Sequence, residues 1–435
     1  MEQHDLIAAI ATPRGRGGIA VIRISGTGAG KLMPKLFQPC PEAPQFRHMY
    51  FGSLIADGKP ADQILAVLFA QGASFTGEET LELHCHGGDA AARLALGAAL
   101  SAGARIAQPG EFTRRAFLNG MLDLSQAEAV GDMIEADSER AAFAAAQALH
   151  GGLGEQIRAM QEQITDLLAG VEAGFDYPDE INEEDTLAAL HGGVIPLQND
   201  LNRLIESYRS GRIIRDGLQV CLIGMPNAGK SSLLNALSGR DSAIVTDIAG
   251  TTRDVLHEII TLNGFTVHLY DTAGIRESSN AIEQIGVDRA LNRAAHADVL
   301  LHVIDCTAPA ADFPLPENIP VLRVYNKADL ACVPLPSGGL CVSAVTGAGL
   351  DALREELCRL GGLYSASEGI SVTNERHLEA LRSALEALHG ASEAVSADCA
   401  AVELRAAWDA LGLITGVTVS EAIIDRIFSK FCLGK

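Results

Sequence analysis

The sequence predicts a multidomain protein in which α/β and all-α regions are combined. At 218–237 an apolar strand passes through a glycine-rich turn directly into a helix, the arrangement of a P-loop domain with a mostly parallel sheet. On both sides of that stretch, apolar residues recur with the spacing of amphipathic helices. In the N-terminal third, apolar and polar residues alternate as they do in β-strands. We therefore expect an N-terminal α/β domain and a discontinuous helical domain into which the P-loop domain is inserted.

Composition limits the classes of protein that the chain can represent. The 435 residues are 48% apolar, which is enough material for about two to four domains with buried cores. The formal net charge of −22 argues against a broad basic face, so an RNA partner would be held locally or through a second protein. Nine cysteines without a CxxC pair are typical of reduced cytosolic thiols. With no apolar run of membrane-span length and no basic signal-peptide start, we expect a soluble cytoplasmic protein without a membrane partner.

Two charged side chains lie inside predicted strands of the N-terminal third. Arg23 lies in the first of these strands, and Glu82 lies in the second, with His84 and His86 on the same face. A metal site formed by Glu82 and the two histidines is one interpretation, but three alternate residues of one strand rarely converge on one ion. The simpler alternative is that Arg23 and Glu82 are edge-strand charges that face water.

The helical segments begin after residue 119. Alanine-rich helical spacing covers 122–171 with one break at Gly151–Gly154, and Ser125–Glu128 fits the S-x-x-E capping box at its start. Further helices are predicted at 187–212, 374–395 and 400–431. From these patterns we place the N-terminal domain at 1–119, the first helical part at 120–216, the P-loop domain at 217–363 and the second helical part at 364–435.

The glycine-rich turn of the P-loop domain fits a phosphate-binding loop. Gly224, Gly229, Lys230 and Ser231 match the pattern G-x-x-x-x-G-K-[ST]. In such a loop the backbone N–H groups and the helix N-terminus surround the β-phosphate, and the lysine reaches the β- and γ-phosphates. The serine hydroxyl is a ligand for Mg²⁺. The strand before the motif and the helix after it are the context that this interpretation requires.

Further motifs follow in the order of a GTPase domain. Asp271–Gly274 (D-x-x-G) ends a second apolar run, where a carboxylate supports the Mg²⁺ shell and a glycine N–H meets the γ-phosphate. Asn326–Asp329 (N-K-x-D) ends a third, and its last carboxylate can accept two hydrogen bonds that guanine offers and adenine does not. Ser343–Ala344 suits a backbone contact to guanine O6, and the polar loop 246–254 is fit to close over the γ-phosphate. Together these motifs predict a GTPase.

The expected site lacks the glutamine that orients the attacking water in many small GTPases. Its position is occupied by Ile275, which cannot form a hydrogen bond through its side chain. Arg276, Glu277 and Glu283 are nearby candidates for the missing role, although each is also consistent with an exposed charge. The amide oxygen of Asn227 could help to hold a monovalent cation against the phosphates, supplying positive charge there.

Seven stretches of the chain together carry a family resemblance: ATPRGRGGIAVIRISG, SFTGEETLELHCHGG, PGEFTRRAFLNG, GMPNAGKSSLLNAL, TDIAGTTRD, DTAGIRE and DRIFSKFCLGK. They resemble the sequences of the MnmE family, also called TrmE, whose members are tRNA-modification GTPases of the TrmE-Era-EngA-YihA-Septin-like class. The similarity covers essentially the full chain, and the C-terminal FCLGK is highly specific to that family.

The resemblance implies a homodimer with a folate-binding and dimerising N-terminal domain, a helical domain and an inserted Ras-like G domain. Such proteins act with the FAD-dependent partner MnmG (GidA) in a heterotetramer-type complex, in which the FAD belongs to the partner only. The complex adds an aminomethyl or carboxymethylaminomethyl group to C5 of the tRNA wobble uridine (U34), using a one-carbon unit of tetrahydrofolate and glycine or ammonium. K⁺ and pairing of the two G domains stimulate GTP hydrolysis. The implied cofactors are GTP, Mg²⁺, K⁺ and a 5-formyl or 5,10-methylene tetrahydrofolate.

The resemblance also implies roles for individual residues in catalysis and metal binding. Glu283 would orient the hydrolytic water. Cys432 matches the family's essential C-terminal cysteine, whose chemical role is open; the alternative is a cysteine that only packs. The implied Mg²⁺ ligands are Ser231 and Thr252, and the implied K⁺ ligands are Asn227, Thr246, Ile248 and Thr251. Residues implied in GTP binding are Asn227, Ala228, Gly229, Lys230, Ser231, Ser232, Thr246, Asp247, Ile248, Ala249, Gly250, Thr251, Thr252, Asp271, Thr272, Ala273, Gly274, Asn326, Lys327, Asp329, Ser343 and Ala344.

The implied folate contacts are Arg23, Glu82 and Lys435. A glutamate suits the N–H edge of a pterin, and basic side chains suit the carboxylates of the folate tail. One departure from the family concerns Met121, which stands where a basic residue is common. The missing charge would lower the affinity for folate, or Arg114 or Arg115 would take its place.

Two other functions remain as alternatives. A GTP-switch ribosome-assembly factor would predict an RNA-binding appendage such as a KH-like domain with a GxxG loop, which the acidic helical tail does not offer. A stand-alone folate-dependent carrier would leave the complete set of GTPase motifs without a purpose.

Overall fold

The computed structural model describes most of the chain. The described residues are 5–13, 15–177, 182–241, 256–271, 297–308, 315–316, 318–330, 338–363, 371–431 and 434. The chain divides into two compact units, which are treated separately below. The first contains 1–131, 148–195 and 383–435, and the second contains 132–147 and 196–382.

A seven-stranded sheet forms the N-terminal part of the first unit. Its strands are β1 (Ile7–Ile10), β2 (Ile19–Ser25), β3 (Phe37–Gln38), β4 (Met49–Ala56), β5 (Lys59–Phe69), β6 (Thr80–His86) and β7 (Arg105–Ile106). They are arranged in the order β3-β4-β5-β6-β2-β1-β7. Helices α1 (Met33–Leu36) and α2 (Asp89–Ser101) share the core with one face of the sheet, which includes the fully buried Ile22, Ile24 and Leu83. The predicted N-terminal α/β domain is confirmed.

The two charged strand residues lie in the interior of this sheet. β2 and β6 are antiparallel neighbours, and their register places Arg23 directly opposite Glu82. Because side chains alternate across a strand, both point to the face opposite that of Ile22 and Ile24. The alternative that they are edge-strand charges is wrong, since four strands lie on one side of β2 and two on the other.

Helices from both ends of the chain pack together in the first unit. The N-terminal series is α3 (Glu111–Leu118), α4 (Leu124–Glu135), α5 (Glu139–Leu149), α6 (Gly152–Asp176) and α7 (Glu183–Asp216), of which α4 and α7 extend into the second unit and α5 lies mostly there. α6 packs against a C-terminal helix at Ala397–Thr415, where the Gln161 amide donates to the carbonyl oxygen of Trp408 at 3.0 Å. This packing across 247 residues of sequence confirms a discontinuous helical domain. Among the described helices, none has both the length and the apolar character needed to span a membrane.

The start of α4 differs from the prediction. Asp123 caps it, because its Oδ1 accepts from the N–H of Gln126 at 2.9 Å while the Gln126 side chain accepts from the N–H of Asp123 at 2.9 Å. This reciprocal pair is a capping box shifted two residues from the predicted Ser125–Glu128. The Ser125 hydroxyl instead donates to Asp123 Oδ1 at 2.7 Å, within the first turn.

A six-stranded sheet forms the centre of the second unit. Its strands are β8 (Leu218–Ile223), β9 (Leu256–Leu262), β10 (Phe265–Asp271), β11 (Val299–Asp305), β12 (Val321–Asn326) and β13 (Leu340–Cys341), in the order β13-β12-β11-β8-β10-β9. All neighbouring pairs are parallel except β9 with β10. Helices α8 (Lys230–Asp241) and α9 (Leu350–Leu360) bury Leu233, Leu237 and Leu353 against the sheet. The prediction of a mostly parallel P-loop domain is confirmed.

The C-terminal helical segment contains more breaks than the sequence indicated. α10 (Glu375–Glu393) is followed by α11 (Ala397–Thr415) and α12 (Glu421–Phe428), where one continuous segment was predicted at 400–431. Gly416 ends α11 with φ of 95°, a conformation that favours glycine. Its apolar neighbours keep the helical spacing, which is why the pattern alone did not reveal the break.

Candidate nucleotide-binding site

The ends of four parallel strands bring the predicted motifs together. β8, β10, β11 and β12 run in the same direction, so their carboxyl ends meet at one edge of the sheet. Gly224 follows β8, and Asp271, Asp305 and Asn326 are the last residues of the other three strands. In open α/β sheets this edge is where ligands bind.

Two glycines of the loop 224–229 are required by close backbone approaches. A Cβ on Gly224 would lie 2.2 Å from the Val303 carbonyl oxygen, and a Cβ on Gly229 would lie 2.3 Å from the Asn326 amide nitrogen. Both glycines also have positive φ, at 143° and 90°. The predicted phosphate loop is thus held tightly against the ends of β11 and β12, and it leads directly into the N-terminus of α8 at Lys230.

The ammonium group of Lys230 lies across this loop. It donates to the carbonyl oxygens of Gly224 at 2.9 Å and Met225 at 3.0 Å. Burial lowers the pKa of Lys230, and the nearby Asp271 carboxylate opposes that effect. The side chain is 5% exposed, so a cation is held inside the loop, where it can neutralise bound phosphate.

The side chains of Ser231 and Asp271 place two oxygen atoms next to each other beside the loop, where both are suited to act as metal ligands. The Ser231 hydroxyl donates to Asp271 Oδ2 at 2.5 Å, and Asp271 is 1% exposed. A hydroxyl and a carboxylate oxygen next to a phosphate site are donors that fit Mg²⁺, which prefers hard oxygen ligands.

Asn326 connects three segments of the site. Its side-chain nitrogen donates to the carbonyl oxygens of Ala228 at 3.1 Å and Gly229 at 3.4 Å, while its side-chain oxygen accepts from the Ala344 N–H at 3.2 Å. Ser343 is fully buried, and its hydroxyl accepts from the Thr346 N–H at 3.1 Å. The phosphate loop, the N-K-x-D motif and the Ser343–Ala344 segment are therefore one connected structure.

Lys327 and Asp329 follow Asn326 on the same edge. The Lys327 ammonium donates to the Asn227 carbonyl oxygen at 2.8 Å and to Asp305 Oδ2 at 2.6 Å. Asp329 lies in a short 3-10 turn, Ala328–Leu330, and its side chain is exposed. Asn227 and Ser232 are also exposed, at the surface of the loop and in the first turn of α8.

Sequence analysis did not single out Asp305. Burial would raise the pKa of its carboxyl group, but hydrogen bonds from Lys327 and Thr307 outweigh this effect and lower that pKa. The available signal was an aspartate at the end of the apolar run 299–304, a position equivalent to that of Asp271 after its own run.

In the first unit, Arg23 and Glu82 form an ion pair with Arg23 Nε 2.8 Å from Glu82 Oε1. The Arg23 guanidinium also lies over the rings of Phe75 and Phe112, at 5.4 and 5.7 Å. Burial would raise the pKa of Glu82, but His84 and Arg23 lower it below its usual value. The pair is partly exposed, at 19% and 15%, so polar atoms of a ligand could reach it.

The proposed metal cluster of the same strand does not form. His84 Nε2 lies 3.3 Å from Glu82, but His86 pairs with Asp62 through Nδ1 at 2.6 Å. Among the described residues, no group of three or more histidine, cysteine or acidic side chains has the arrangement of a metal site. The metal interpretation of Glu82, His84 and His86 is therefore wrong.

The suggestion that Arg114 or Arg115 replaces the missing basic residue at Met121 stays a prediction, and in the structure both arginines form ion pairs with carboxylates of the first unit. Arg115 is buried and pairs with Asp5, Glu78 and Glu111 at 2.6 to 3.1 Å. Arg114 pairs with Asp425 of α12 at 3.1 Å. Both guanidinium groups are thus engaged in holding the first unit together. The Met121 side chain packs against Gly77, since a Cβ added to Gly77 would lie 2.9 Å from the Cγ of Met121.

The chain returns to the N-terminal sheet at its C-terminus. A Cβ on Gly434 would lie 2.3 Å from the carbonyl oxygen of Ile10, at the end of β1. Ile10 of β1 pairs with Ile22 of β2, and Arg23 is the next residue of β2. Gly434 therefore lies against the strand that neighbours the one carrying Arg23.

Two family models cover most of the chain. The model described as the N-terminus of GTP-binding protein TrmE matches residues 6–121. The model described as the MnmE helical domain matches residues 124–432, which is more than half of the sequence. The chain belongs to the MnmE family.

Full-length relatives agree with this assignment. The chain is 42% identical over 447 residues to the tRNA modification GTPase MnmE of Methylococcus capsulatus, with 99% of each chain covered. It is 43% identical over 455 residues to the protein of the same name from Pseudomonas aeruginosa, again covering 99% of both. A solved structure of Era from Aquifex aeolicus is 28% identical over 39% of this chain and 66% of that one, with a TM-score of 0.27, which is too low to support a structural argument.

Membership of the MnmE family confirms two predictions. The combination of an N-terminal α/β domain, a helical domain and a Ras-like P-loop G domain is correct. At the level of the family, the prediction of a GTPase that takes part in tRNA modification is also correct.

Several predicted site residues lie outside the described residues, and their roles stay predictions. They are Thr246, Asp247, Ile248, Ala249, Gly250, Thr251, Thr252, Thr272, Ala273, Gly274, Glu283, Cys432 and Lys435.

Proposed function

We propose that the chain binds and hydrolyses GTP as a component of the machinery that modifies the wobble uridine of tRNA. The observation that carries the proposal is the connected site at the sheet edge, in which Asn326 joins the phosphate loop to the segment at Ala344. Relatives that match 99% of the chain are named tRNA modification GTPases. The ribosome-assembly alternative has no comparable support.

In the proposed nucleotide complex, the N–H groups of the loop 224–229 and the α8 N-terminus bind the β-phosphate. Lys230 neutralises the β- and γ-phosphates, which its buried position inside the loop supports. Asp329 accepts from the guanine N1–H and 2-amino group, and this pairing disfavours adenine because the carboxylate would then lack donors. Ser343 and Ala344 define the side of the pocket that faces guanine O6.

Two cations complete the proposed site. Mg²⁺ would be held by Ser231 and Thr252, with Asp271 in its outer shell, and it would offset charge on the β- and γ-phosphates. K⁺ would be coordinated by Asn227, Thr246, Ile248 and Thr251, supplying the positive charge that an arginine supplies in other GTPases. We further propose that Glu283 orients the water that attacks the γ-phosphate, since Ile275 cannot.

The first unit is proposed to bind a tetrahydrofolate derivative through Arg23, Glu82 and Lys435. Glu82 is ionised, because His84 and Arg23 lower its pKa, so it is prepared to accept from N–H groups of a pterin. The Phe75 and Phe112 rings beside Arg23 offer flat apolar surface to an aromatic ligand. We expect a lower affinity for the carboxylate tail of the folate than in family members that carry a basic residue at the position of Met121.

The assembly is proposed to be a cytoplasmic homodimer that acts with MnmG, which carries the FAD, on tRNA. The domains proposed for it are 1–119 for folate binding and dimerisation, 120–216 with 364–435 for the helical domain, and 217–363 for the G domain. Within this assembly the one-carbon unit of tetrahydrofolate would become a methylene group bonded to C5 of the uridine, and the nitrogen of glycine or ammonium would be bonded to that methylene carbon. Cys432 is a candidate participant in that chemistry.

Analysis of tRNA nucleosides tests the proposed function. In a strain from which the coding sequence is deleted, we expect the C5-substituted wobble uridines to disappear and to return when the wild-type chain is expressed from a plasmid. Liquid chromatography with mass spectrometry of digested bulk tRNA measures both outcomes. Unchanged wobble uridines in the deletion strain would overturn the proposal.

A further inference from the structure

Two residues of the nucleotide site share an uncommon backbone conformation and are joined by one hydrogen bond. Asn227 has φ of 62° and Lys327 has φ of 63°, in the left-handed region that non-glycine residues rarely adopt. The Lys327 ammonium donates to the carbonyl oxygen of Asn227 at 2.8 Å, although 100 residues separate them. Such conformations persist only where the surroundings hold them firmly, and they concentrate at binding sites.

Asp305 provides the second contact of the Lys327 ammonium. Its Oδ2 lies 2.6 Å from Lys327 Nζ, and the carboxylate is only 17% exposed. A carboxylate that accepts from an ammonium forms a charge-assisted hydrogen bond, which is stronger than a neutral one. Lys327 is therefore held between a carboxylate from β11 and a backbone carbonyl of the phosphate loop.

The Asp305 carboxylate is itself fixed in orientation. Its Oδ1 accepts from the N–H of Thr307 at 2.8 Å and from the Thr307 hydroxyl at 2.6 Å. The N–H of Cys306 donates to the Asn326 carbonyl oxygen at 3.0 Å, which locks the end of β11 to the end of β12. The two hydrogen bonds from Thr307 occupy Oδ1 of Asp305, and Oδ2 accepts from Lys327.

The geometry points to Asp305 as a positioning residue for nucleotide binding. By holding Lys327 against the Asn227 carbonyl oxygen, it sets the conformation of the phosphate loop and fixes the loop to the segment that reads the base. This inference rests on the proposed binding of GTP at the loop 224–231. It concerns the phosphate end of the nucleotide, so it predicts an effect that does not depend on the base.

The test replaces Asp305 with asparagine, which keeps its shape and removes its charge. Asp351→Asn is the matched control, since Asp351 is 83% exposed and pairs with Arg354 at 2.9 Å on the surface of α9. Affinities for GDP and IDP are measured by isothermal titration calorimetry with the full chain, and thermal unfolding is recorded for each variant. IDP lacks the 2-amino group and thus reports separately on recognition of the base.

We expect Asp305→Asn to weaken binding of GDP and IDP by the same factor of about tenfold, the loss of one charge-assisted hydrogen bond. Asp329→Asn is expected to weaken the binding of GDP more than the binding of IDP, because only GDP has a 2-amino group whose contact is lost. In GTP turnover the loss caused by Asp305→Asn should appear in KM, with kcat changed less than about threefold, because Asp305 does not touch the reacting atoms. Thr307→Val, which removes one orienting bond, should shift affinity in the same direction by a smaller factor.

The inference would be overturned if Asp305→Asn bound GDP and IDP as tightly as the control variant Asp351→Asn does. So would a loss confined to GDP, which would place Asp305 in base recognition. If Asp305→Asn unfolds, Thr307→Val decides between the two results. These measurements use the isolated chain, so unchanged wobble uridines in the deletion strain would refute the proposed function without affecting them.

Discussion

At the scale of residues, a cluster of charges around the buried Arg115 and Glu111 connects segments of the first unit. Its guanidinium bonds to Asp5, Glu78 and Glu111, and Arg105 adds two further bonds to Glu111 at 2.6 and 2.9 Å. Burial would raise the pKa of Glu111, but Arg105, the Gln108 N–H and Arg115 lower it. Removal of the Glu111 charge would take one carboxylate partner from each of Arg105 and Arg115, and the Arg115 side chain is 8% exposed, so the loss of that partner is costly.

This cluster predicts a pH-dependent stability. The folded-state pKa of Glu111 lies below the ordinary glutamate value of about 4.3. The contribution of its carboxylate to the free energy of unfolding is therefore fully present above that pH and is lost as the pH falls through the folded-state pKa. We expect Glu111→Gln to lower the free energy of unfolding by about 3 kcal/mol at pH 7 and by less at pH 3. Urea titrations followed by fluorescence measure this, since the single tryptophan, Trp408, lies in the first unit.

Glu356→Gln is the control for that experiment. Glu356 forms a surface pair with Arg359 on α9, in the second unit, so its loss should change the fluorescence transition by less than about 0.5 kcal/mol. An equal loss in Glu111→Gln at pH 7 and pH 3 would contradict the linkage to the carboxylate charge.

The Arg23–Glu82 pair shows what could not be predicted from sequence at this scale. Both residues were identified as candidates, but their contact depends on the register of two strands that are 59 residues apart in the chain. Without the strand order, an exposed edge was as reasonable as an interior pair. The contact of Lys327 with Asp305 was missed for the same reason, since it joins the ends of neighbouring parallel strands.

At the scale of elements, the sequence predicted the existence of helices better than their ends. The segment predicted at 122–171 corresponds to α4, α5 and most of α6, which continues to Asp176, and only the break near Gly151 was predicted. Asp123 and Ser125 are both residues that cap helices well, so the pattern could not decide between two capping boxes. Tertiary contacts decided it, because Asp123 also pairs with Arg158 at 2.9 Å.

The cap of α4 gives a testable order of stabilities. Asp123→Ala removes the acceptor of the Gln126 N–H, and we expect it to lower the free energy of unfolding by about 1 to 2 kcal/mol. Ser125→Ala should cost less than half as much, since the Ser125 hydroxyl donates to Asp123 and caps no backbone group. Urea titrations followed by Trp408 fluorescence measure both, and a larger loss for Ser125→Ala would contradict the assigned cap.

At the scale of the whole molecule, most of the nucleotide site was predictable because its motifs are contiguous in sequence. Each motif lies directly after an apolar strand, so a parallel sheet brings all of them to one edge without further information. The proposed folate contacts were harder to derive, since they would come from two strands and from a C-terminal segment that returns to β1 at Gly434. There only the resemblance to the MnmE family suggested which residues meet.

The central claim is that GTP hydrolysis at the loop 224–231 drives modification of the wobble uridine. Ser231→Ala tests it most directly, because it removes the hydroxyl beside Asp271 and with it a proposed ligand of Mg²⁺. We expect kcat/KM for GTP to fall by about 100-fold or more. In the deletion strain, a plasmid that encodes Ser231→Ala should leave the wobble uridines unmodified. A plasmid that encodes Ser392→Ala, a half-buried serine of α10 whose hydroxyl donates to the backbone carbonyl oxygen of His389, should restore the modification. Full restoration by Ser231→Ala would contradict the claim.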